Sequence, residues 1–163
     1  QQNGCWRFNP VMDLEDKHQR ALIAKVGLFA LRESEVLYFV ASEDSDGNPL
    51  NAQNDYVLEG NNLDARYWSY TMYGHDYFLV PNDAKIYGYN LESIKYLPID
   101  TVSTSLEGIS KTYQIHLSSQ PKGENWLPSG SEEQFHITLR MYQPAPAVYE
   151  NPTGVSLPTI KKI

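Results

Sequence analysis

The stretch FHITLRMY, residues 135–142, alternates apolar and polar side chains with a period of two. In an extended chain Phe135 and Met141 point to one side together with the apolar residues between them, and Arg140 points to the other. This alternation predicts a strand of a sheet that buries one face, as antiparallel sheets commonly do. It therefore favours a β fold and leaves Arg140 on the face that is turned away from the core.

Similar short runs, rich in aromatic and β-branched residues and bounded by turn residues, fill most of the chain on either side. The 163 residues include 12 Tyr, 3 Trp and 5 Phe, an aromatic content that also favours strands. We therefore predict a mainly β protein whose residues 35–142 form a β-sandwich. The further runs are VLYFVAS, DYVLEG, RYWSYTMY, YFLVP and KTYQIHLSS.

The two ends of the chain differ from this middle part. In residues 13–31, Leu22, Val26 and Phe29 recur at helical spacing, which predicts an α-helix that packs one apolar stripe on a sheet. Residues 143–163 contain four prolines, which predict an extended tail that is packed on the body. The length suits one domain, which we place over 1–163.

Charge and composition exclude several classes of function. A net charge of −7 argues against a nucleic acid or an anionic membrane surface as partner, because both would be repelled. Cys5 is the only cysteine, so the chain forms no internal disulfide. No apolar run approaches the ~20 residues of a membrane span. An uncharged or cationic ligand fits this chain better than an anionic one.

The acidic stretch SEDSDGNPLN, residues 42–51, is either a calcium loop or a tight turn. An EF-hand loop that begins at Asp44 needs glycine at position 6 and glutamate at position 12. Here Gly47 falls at position 4 and Asp55 at position 12, so the template fails. The pair Asp46-Gly47 between two strands is typical of a turn. We predict the turn, with an irregular calcium site as the alternative.

The residues that carry catalytic chemistry do not form a recognisable motif. The four histidines, His18, His75, His116 and His136, are scattered, and no pair has the spacing of metal ligands. A metal site across the sheet between His116 and His136 stays open as a minor alternative. The chain contains neither a G-x-S-x-G elbow nor a glycine-rich phosphate loop. We predict no metal and no cofactor.

The aromatic residues of RYWSYTMYGHDYF, residues 66–78, lie on both faces of one predicted strand. Tyr67 and Tyr73 share one face, and Trp68 and Tyr70 share the other. Such residues either fill a sandwich core with their hydroxyls at its edge, or line a groove that stacks on a sugar or another small neutral ligand. Trp126, in the loop ENWLPSG, is open to the same two interpretations.

Several stretches together resemble the bacterial family known as domain of unknown function 1214: GCWRF, SEVLYFVASEDSDGNPLNAQNDYVLEG, ARYWSYTMYGHDYFLVPN and GENWLPSGSEEQFHITLRMYQPAP. The chain is similar to the short, stand-alone form of that family. The resemblance implies a jelly-roll-like antiparallel β-sandwich and an exported protein with a short apolar segment ahead of the domain. It implies no established activity, cofactor or catalytic residue.

The motif positions of that resemblance include polar residues with two interpretations. Asn82, Asn125, Arg140 and Tyr142 either tie loops together by hydrogen bonds or converge on a pocket. In the motif MYGHDYFLVPN the chain carries Tyr77 where the resemblance implies glycine.

The function that the sequence favours is non-catalytic binding of a neutral small molecule or glycan by a periplasmic or otherwise extracytoplasmic domain, with an amino-terminal membrane anchor absent from this chain. One alternative is a hydrolase that uses His116, His136 and Arg140, or the pair Asp44 and Asp46. Another is a structural or assembly protein of the cell envelope, and the oligomeric state stays open. The predicted ligand-binding residues are Trp68, Tyr73, Asn82, Asn125, Trp126, Arg140 and Tyr142.

Overall fold

A computed structural model of the protein describes residues 1–8, 17–18, 21, 33–98 and 111–163. Within these ranges the chain is mainly β, with ten strands in two sheets that form an open sandwich and not a closed barrel. The strands are β1 Gln2–Asn3, β2 Trp6–Arg7, β3 Val36–Ala41, β4 Tyr56–Asn61, β5 Ala65–Gly74, β6 Gly88–Asn90, β7 Thr112–Ser118, β8 Trp126–Pro128, β9 Phe135–Pro144 and β10 Thr159–Lys162.

The larger sheet has six strands in the order β1-β2-β3-β9-β5-β6, and every pair in it is antiparallel. Strand β9 lies at its centre, where Arg140 pairs with Tyr38 on one side and with Ser69 on the other. The alternation predicted for residues 135–142 is confirmed, since Phe135 and Met141 are buried and Arg140 is only half-buried on the opposite face.

The smaller sheet has four strands in the order β10-β4-β7-β8. Strands β7 and β8 run parallel, with His116 beside Trp126, so the expectation of a wholly antiparallel sandwich needs correction here. The connection over residues 119–125 brings Trp126, the first residue of β8, beside His116 near the end of β7.

The core between the sheets is built from large aromatic side chains. The indole of Trp68 on the larger sheet stacks on Tyr113 of the smaller one, with ring centroids 5.3 Å apart. The hydroxyls of Tyr70 and Tyr113 lie 2.7 Å apart and satisfy each other. A buried hydroxyl without a partner is costly, and this pair lets two tyrosines fill a dry interior.

The two ends of the chain depart from their predictions. Of the predicted helix over 13–31, the structure describes only Lys17, His18 and Ala21, and the apolar stripe that was predicted to pack on the sheet lies outside the described residues, so the helix is not supported. The tail over 143–163, predicted to be extended, includes a short helix, Pro146–Glu150, and a 3-10 turn, Pro152–Gly154, before edge strand β10. Among the described residues, no helix has the length and apolar character that a membrane crossing needs.

The run YFLVP, predicted as a strand, is not one. Leu79 makes only an isolated bridge to Tyr73, and Tyr77 and Phe78 lie in a turn. Strand β6, which does pair with β5, begins only at Gly88.

Candidate functional site

The outer face of the six-stranded sheet carries a cluster of tyrosines around one arginine. The alternation along β3, β5 and β9 places these side chains on the face opposite the core, and the register brings them into neighbouring rows. All of them are half-buried. We call this cluster the tyrosine face, and it consists of Tyr38, Tyr67, Tyr73, His136, Arg140 and Tyr142.

Arg140 is held at the centre of the tyrosine face by two hydrogen bonds. Its Nη1 donates to Oγ1 of Thr71 at 3.0 Å, and its Nη2 donates to the hydroxyl of Tyr73 at 2.7 Å. The guanidinium carbon lies 5.8 Å from the ring centre of Tyr38 and 5.5 Å from that of Tyr73, a cation–π arrangement on both sides. The guanidinium is therefore fixed in direction before any ligand arrives.

The charge of Arg140 is not matched by an acid in the described part of the chain, where none of the ion pairs includes it. A guanidinium has five N–H donors, and Thr71 and Tyr73 use two of them. Burial raises the pKa of the Tyr38 hydroxyl, Tyr142 adds to the rise, and Arg140 opposes it. The face thus combines a fixed cation with neutral hydroxyl groups.

The imidazole of His136 lies between the Tyr73 ring, which contacts Arg140, and the turn that follows β5. Its ring stacks on Tyr73 with centroids 5.5 Å apart and planes within 19°. The ring of Tyr77 also contacts it, tilted by 58° with centroids 5.2 Å apart. Burial lowers the pKa of His136, which favours the neutral ring at neutral pH. A neutral imidazole can both donate and accept a hydrogen bond.

Three of the seven predicted ligand-binding residues, Tyr73, Arg140 and Tyr142, come together on the tyrosine face. The ring of Tyr142 lies 5.9 Å from that of Tyr67 on the neighbouring strand. Trp68, in contrast, is completely buried in the core and is not available to a ligand there. Side chains alternate along β5, so Trp68 lies on the face opposite that of Tyr67.

The two predicted asparagines hold loops in place. Oδ1 of Asn82 accepts from the backbone amide of Ile86 at 3.1 Å, and its Nδ2 donates to two carbonyls of the same loop. Asn125 is buried, accepts from the amide of Lys95 at 2.9 Å and donates to the carbonyls of Lys95 and Gln114. These bonds use the polar atoms of both side chains. Both asparagines therefore tie loops together and do not converge on a pocket.

Trp126 lies on the outer face of the smaller sheet, away from the tyrosine face. Its Nε1 donates to the carbonyl of Ser118 at 2.9 Å, and its own carbonyl accepts from the hydroxyl of Tyr89 at 3.0 Å. The half-buried indole thus anchors the loop over 119–125. The structure does not bring Trp126 together with Arg140.

The same outer face of the smaller sheet carries His116, beside an ion pair between Asp55 and Lys122. The hydrogen bond from Lys122 is the main cause of a lowered pKa of Asp55. A Cβ on Gly123 would lie only 3.0 Å from the His116 ring, so this loop covers the imidazole. His116 and His136 therefore lie on opposite sides of the sandwich, and the predicted hydrolase loses the constellation on which it depended.

The acidic stretch over residues 42–51 forms the predicted turn. Oδ1 of buried Asp44 accepts from the backbone amides of Asp46 at 3.0 Å and of Asn48 at 2.8 Å, and Gly47 has φ +85°. Burial opposes ionisation of Asp44, but its hydrogen bonds with Asn48 and Asp46 outweigh it and lower the pKa. The predicted catalytic pair, Asp44 and Asp46, therefore belongs to one turn, in which the amide of Asp46 donates to the carboxylate of Asp44. Among the described residues, no group of three or more His, Cys, Asp or Glu could hold a metal.

A cleft of about 410 Å³ lies elsewhere, between the ends of β4 and β7 and the carboxy-terminal tail. Glu59 and Gln114 line it, but the amide of Gln114 donates to Glu59 at 2.7 Å and Lys161 also contacts that carboxylate. Its charged groups therefore satisfy one another. The tyrosine face, with a fixed cation whose remaining donors no described residue uses, is the better candidate site.

The site includes residues that the sequence analysis did not single out as ligand-binding. Tyr38 and Tyr67 lie in predicted strands, but their approach to Arg140 and Tyr142 depends on strand order, which no local pattern gives. The alternation around Arg140 was the one available signal, because it placed that residue and its strand neighbours on the outer face.

A family model described as "Protein of unknown function (DUF1214)" matches residues 35–146, more than half of the chain. The chain belongs to this family. The match spans β3 to β9 and so includes every residue of the tyrosine face. The resemblance found in the sequence is confirmed.

Two crystal structures share the fold. The VPA0106 protein from Vibrio parahaemolyticus is 24% identical with a TM-score of 0.69, and the match covers 91% of this chain and 35% of that one. An uncharacterised protein from Burkholderia cenocepacia is 16% identical with a TM-score of 0.50, covering 83% of this chain and 31% of that one. This chain spans about a third of the length of either protein. No curated protein matches it significantly.

Proposed function

We propose that the protein is a non-catalytic binding module whose tyrosine face takes a neutral, hydroxylated ligand, and that the ligand is a glycan. The observation that carries this proposal is Arg140, fixed between the rings of Tyr38 and Tyr73 with donors that the described residues do not use. A site that is oriented in advance loses less entropy on binding.

The chemistry of a sugar matches this face in two respects. The C–H groups of a sugar ring pack on aromatic rings, and its hydroxyls accept from guanidinium N–H groups and exchange hydrogen bonds with tyrosine hydroxyls. Tyr67 and Tyr142 extend the aromatic surface beside Arg140. The net charge of −7 disfavours polyanionic ligands at the level of the whole molecule.

Among the described residues, the same face does not pair a proton-exchanging group with an acid that would orient it. General acid–base chemistry uses groups that exchange protons within hydrogen-bond reach of the substrate. His136 is the group on the tyrosine face with an ordinary pKa near neutrality, and none of the ion pairs among the described residues involves it or Arg140. Binding is the simpler use of these side chains.

A role in assembly is the second candidate function, and it rests on a different observation. Phe78 and Leu79 expose 74% and 43% of their surface beside Tyr77. Exposed apolar side chains in one turn are typical of contacts between proteins. This alternative predicts a stable oligomer that Phe78→Ser disrupts, whereas a monomer by light scattering at all concentrations would contradict it.

We further propose that the sandwich is jelly-roll-like and that the domain works outside the cytoplasm, tethered to the inner membrane. Support for the fold comes from β9, which returns between β3 and β5 as in a Greek key. Support for the location comes only from the family resemblance. Fractionation of cells that express the full-length protein tests the location.

A screen of wild-type protein against soluble neutral oligosaccharides tests the proposed function, with calorimetry for each hit. Arg140→Gln removes the charge and the forked donors, and we expect it to weaken binding about 10- to 100-fold, the loss typical of a hydrogen bond to a charged group. Lys161→Gln, on the smaller sheet, is the matched control and leaves affinity unchanged. Equal affinity of Arg140→Gln and wild type, with both folded by circular dichroism, would refute a site on this face.

A further inference from the structure

The turn that follows β5 has an unusual residue in a left-handed backbone conformation. The amide of Tyr77 donates to the carbonyl of Gly74 at 3.1 Å, and the amide of Gly74 donates to the carbonyl of Phe78 at 2.9 Å. Tyr77 adopts φ +65°. Glycine is the usual residue in such a left-handed position of a short hairpin loop, because a Cβ makes the conformation unfavourable. The chain thus keeps a tyrosine where the backbone favours glycine.

The strained position directs the Tyr77 ring toward the tyrosine face. The residue remains 75% exposed, yet the centroid of its ring lies 5.2 Å from that of His136. His136 stacks at 5.5 Å on Tyr73, and Arg140 lies 5.5 Å from the Tyr73 ring. Tyr38 continues the series at 5.8 Å from Arg140. A row of five flat groups therefore crosses three strands and the turn.

The neighbouring Phe78 shows that exposure alone does not explain this arrangement. Phe78 is as exposed as Tyr77, at 74%, but it has no ring contact with any described residue. The amide of Phe78 donates to Oδ1 of Asp76 at 3.0 Å, a bond that any residue at this position would make. Only the tyrosine of the turn extends the row.

We propose that Tyr77 is a specificity-determining residue that stacks on the outermost unit of a chain-like glycan, so that the tyrosine face binds a chain of several sugars more tightly than a single sugar. This inference rests on the proposed function and adds the form of its ligand. Neighbouring flat groups in the row are 5.2 to 5.8 Å apart, so the whole row is longer than one pyranose ring. A ligand confined to Arg140 and its neighbours would not reach Tyr77.

Calorimetry of wild type, Tyr77→Gly and Phe78→Ala with a neutral monosaccharide and a hexasaccharide of the same sugar tests the inference. We expect Tyr77→Gly to weaken binding of the hexasaccharide about 3- to 10-fold, the size of one aromatic stacking contact, and to leave the monosaccharide unchanged. Its denaturation midpoint stays equal or rises, because glycine suits this turn. Phe78→Ala changes neither affinity.

The results separate this inference from the proposed function. If wild type binds the sugars but Tyr77→Gly leaves the ratio of the two affinities unchanged, the length preference has another origin and the inference fails alone. An equal loss for both sugars is one form of this result, and it would mean that Tyr77 only supports the whole site. If wild type binds no sugar of any length, the proposed function itself fails.

Discussion

Strand β5 uses aromatic side chains in opposite ways on its two faces. On the inner face Trp68 and Tyr70 are completely buried, and the Tyr70 hydroxyl is satisfied by another core residue. On the outer face Tyr67 and Tyr73 are half-buried, and the Tyr73 hydroxyl accepts from Arg140. The comparison shows that aromatic residues build the core on one side of the sheet and a polar, preorganised surface on the other.

The largest contrast between the two faces is expected from matched truncations of neighbouring residues. Trp68→Ala should lower the free energy of unfolding by about 3–5 kcal/mol, because it leaves a cavity in a packed core. Tyr67→Ala should lower it by less than about 1 kcal/mol, as expected away from such features. Urea denaturation measures both. Similar losses for the two variants would remove the distinction between the faces.

A double-mutant cycle on the buried hydroxyl pair gives the next largest effect. Tyr70→Phe or Tyr113→Phe alone should cost about 1–3 kcal/mol of unfolding free energy, since each leaves one buried hydroxyl unsatisfied. The double variant should cost less than the sum of the two, because both polar groups are then gone. Strictly additive losses would show that the two hydroxyls do not depend on each other.

Removal of a hydroxyl from the outer face should affect stability less. Tyr73→Phe takes away the acceptor of Arg140 Nη2, but a half-buried guanidinium can bond to water instead. We expect a loss below about 1 kcal/mol in thermal or urea unfolding, smaller than that of Tyr70→Phe. A larger loss than at Tyr70 would mean that the outer cluster serves mainly to hold the sheet together.

The smallest effect expected is the pH dependence that His136 contributes. Because burial lowers its pKa in the folded state, the unfolded chain binds a proton first as the pH falls. This contribution to stability is present above the unfolded pKa of ~6.5 and is lost as the pH falls through the folded value. His136→Phe should therefore flatten the stability profile between pH 7 and 5. An unchanged slope would contradict burial of a neutral imidazole.

The local alternation along the strands predicted which side chains share a face. It did not predict which strands lie next to each other. The alternation over 135–142 placed Arg140 on the outer face, and Asp46-Gly47 marked the turn. The partners of Arg140 come from strands far apart in sequence, with Tyr38 on one side and Thr71 and Tyr73 on the other. Strand order arises from long-range packing, which a single sequence does not display.

Other differences have equally physical causes. The run YFLVP has the composition of a strand, but the tight turn at Tyr77 leaves it no partner beyond one bridge. The prolines of the tail predicted an extended segment packed on the body but not a paired strand, and β10 is such a strand after Pro158, at the edge of its sheet with β4 as its neighbour. The alternation along β5 predicted that Trp68 and Tyr67 lie on opposite faces of the sheet. Only the packed structure shows that the face with Trp68 is the buried one.

The central claim is that the tyrosine face binds a glycan, and NMR of the isotope-labelled protein tests it most directly. Neutral hexasaccharides are titrated while the arginine Nε–H, tryptophan Nε1–H and backbone amide signals are followed. We predict saturable shifts of Arg140 Nε–H and of the amides of β3, β5 and β9, with the Trp126 indole unchanged on the opposite side. No saturable shift with any hexasaccharide, or shifts confined to the surroundings of Trp126, would contradict it.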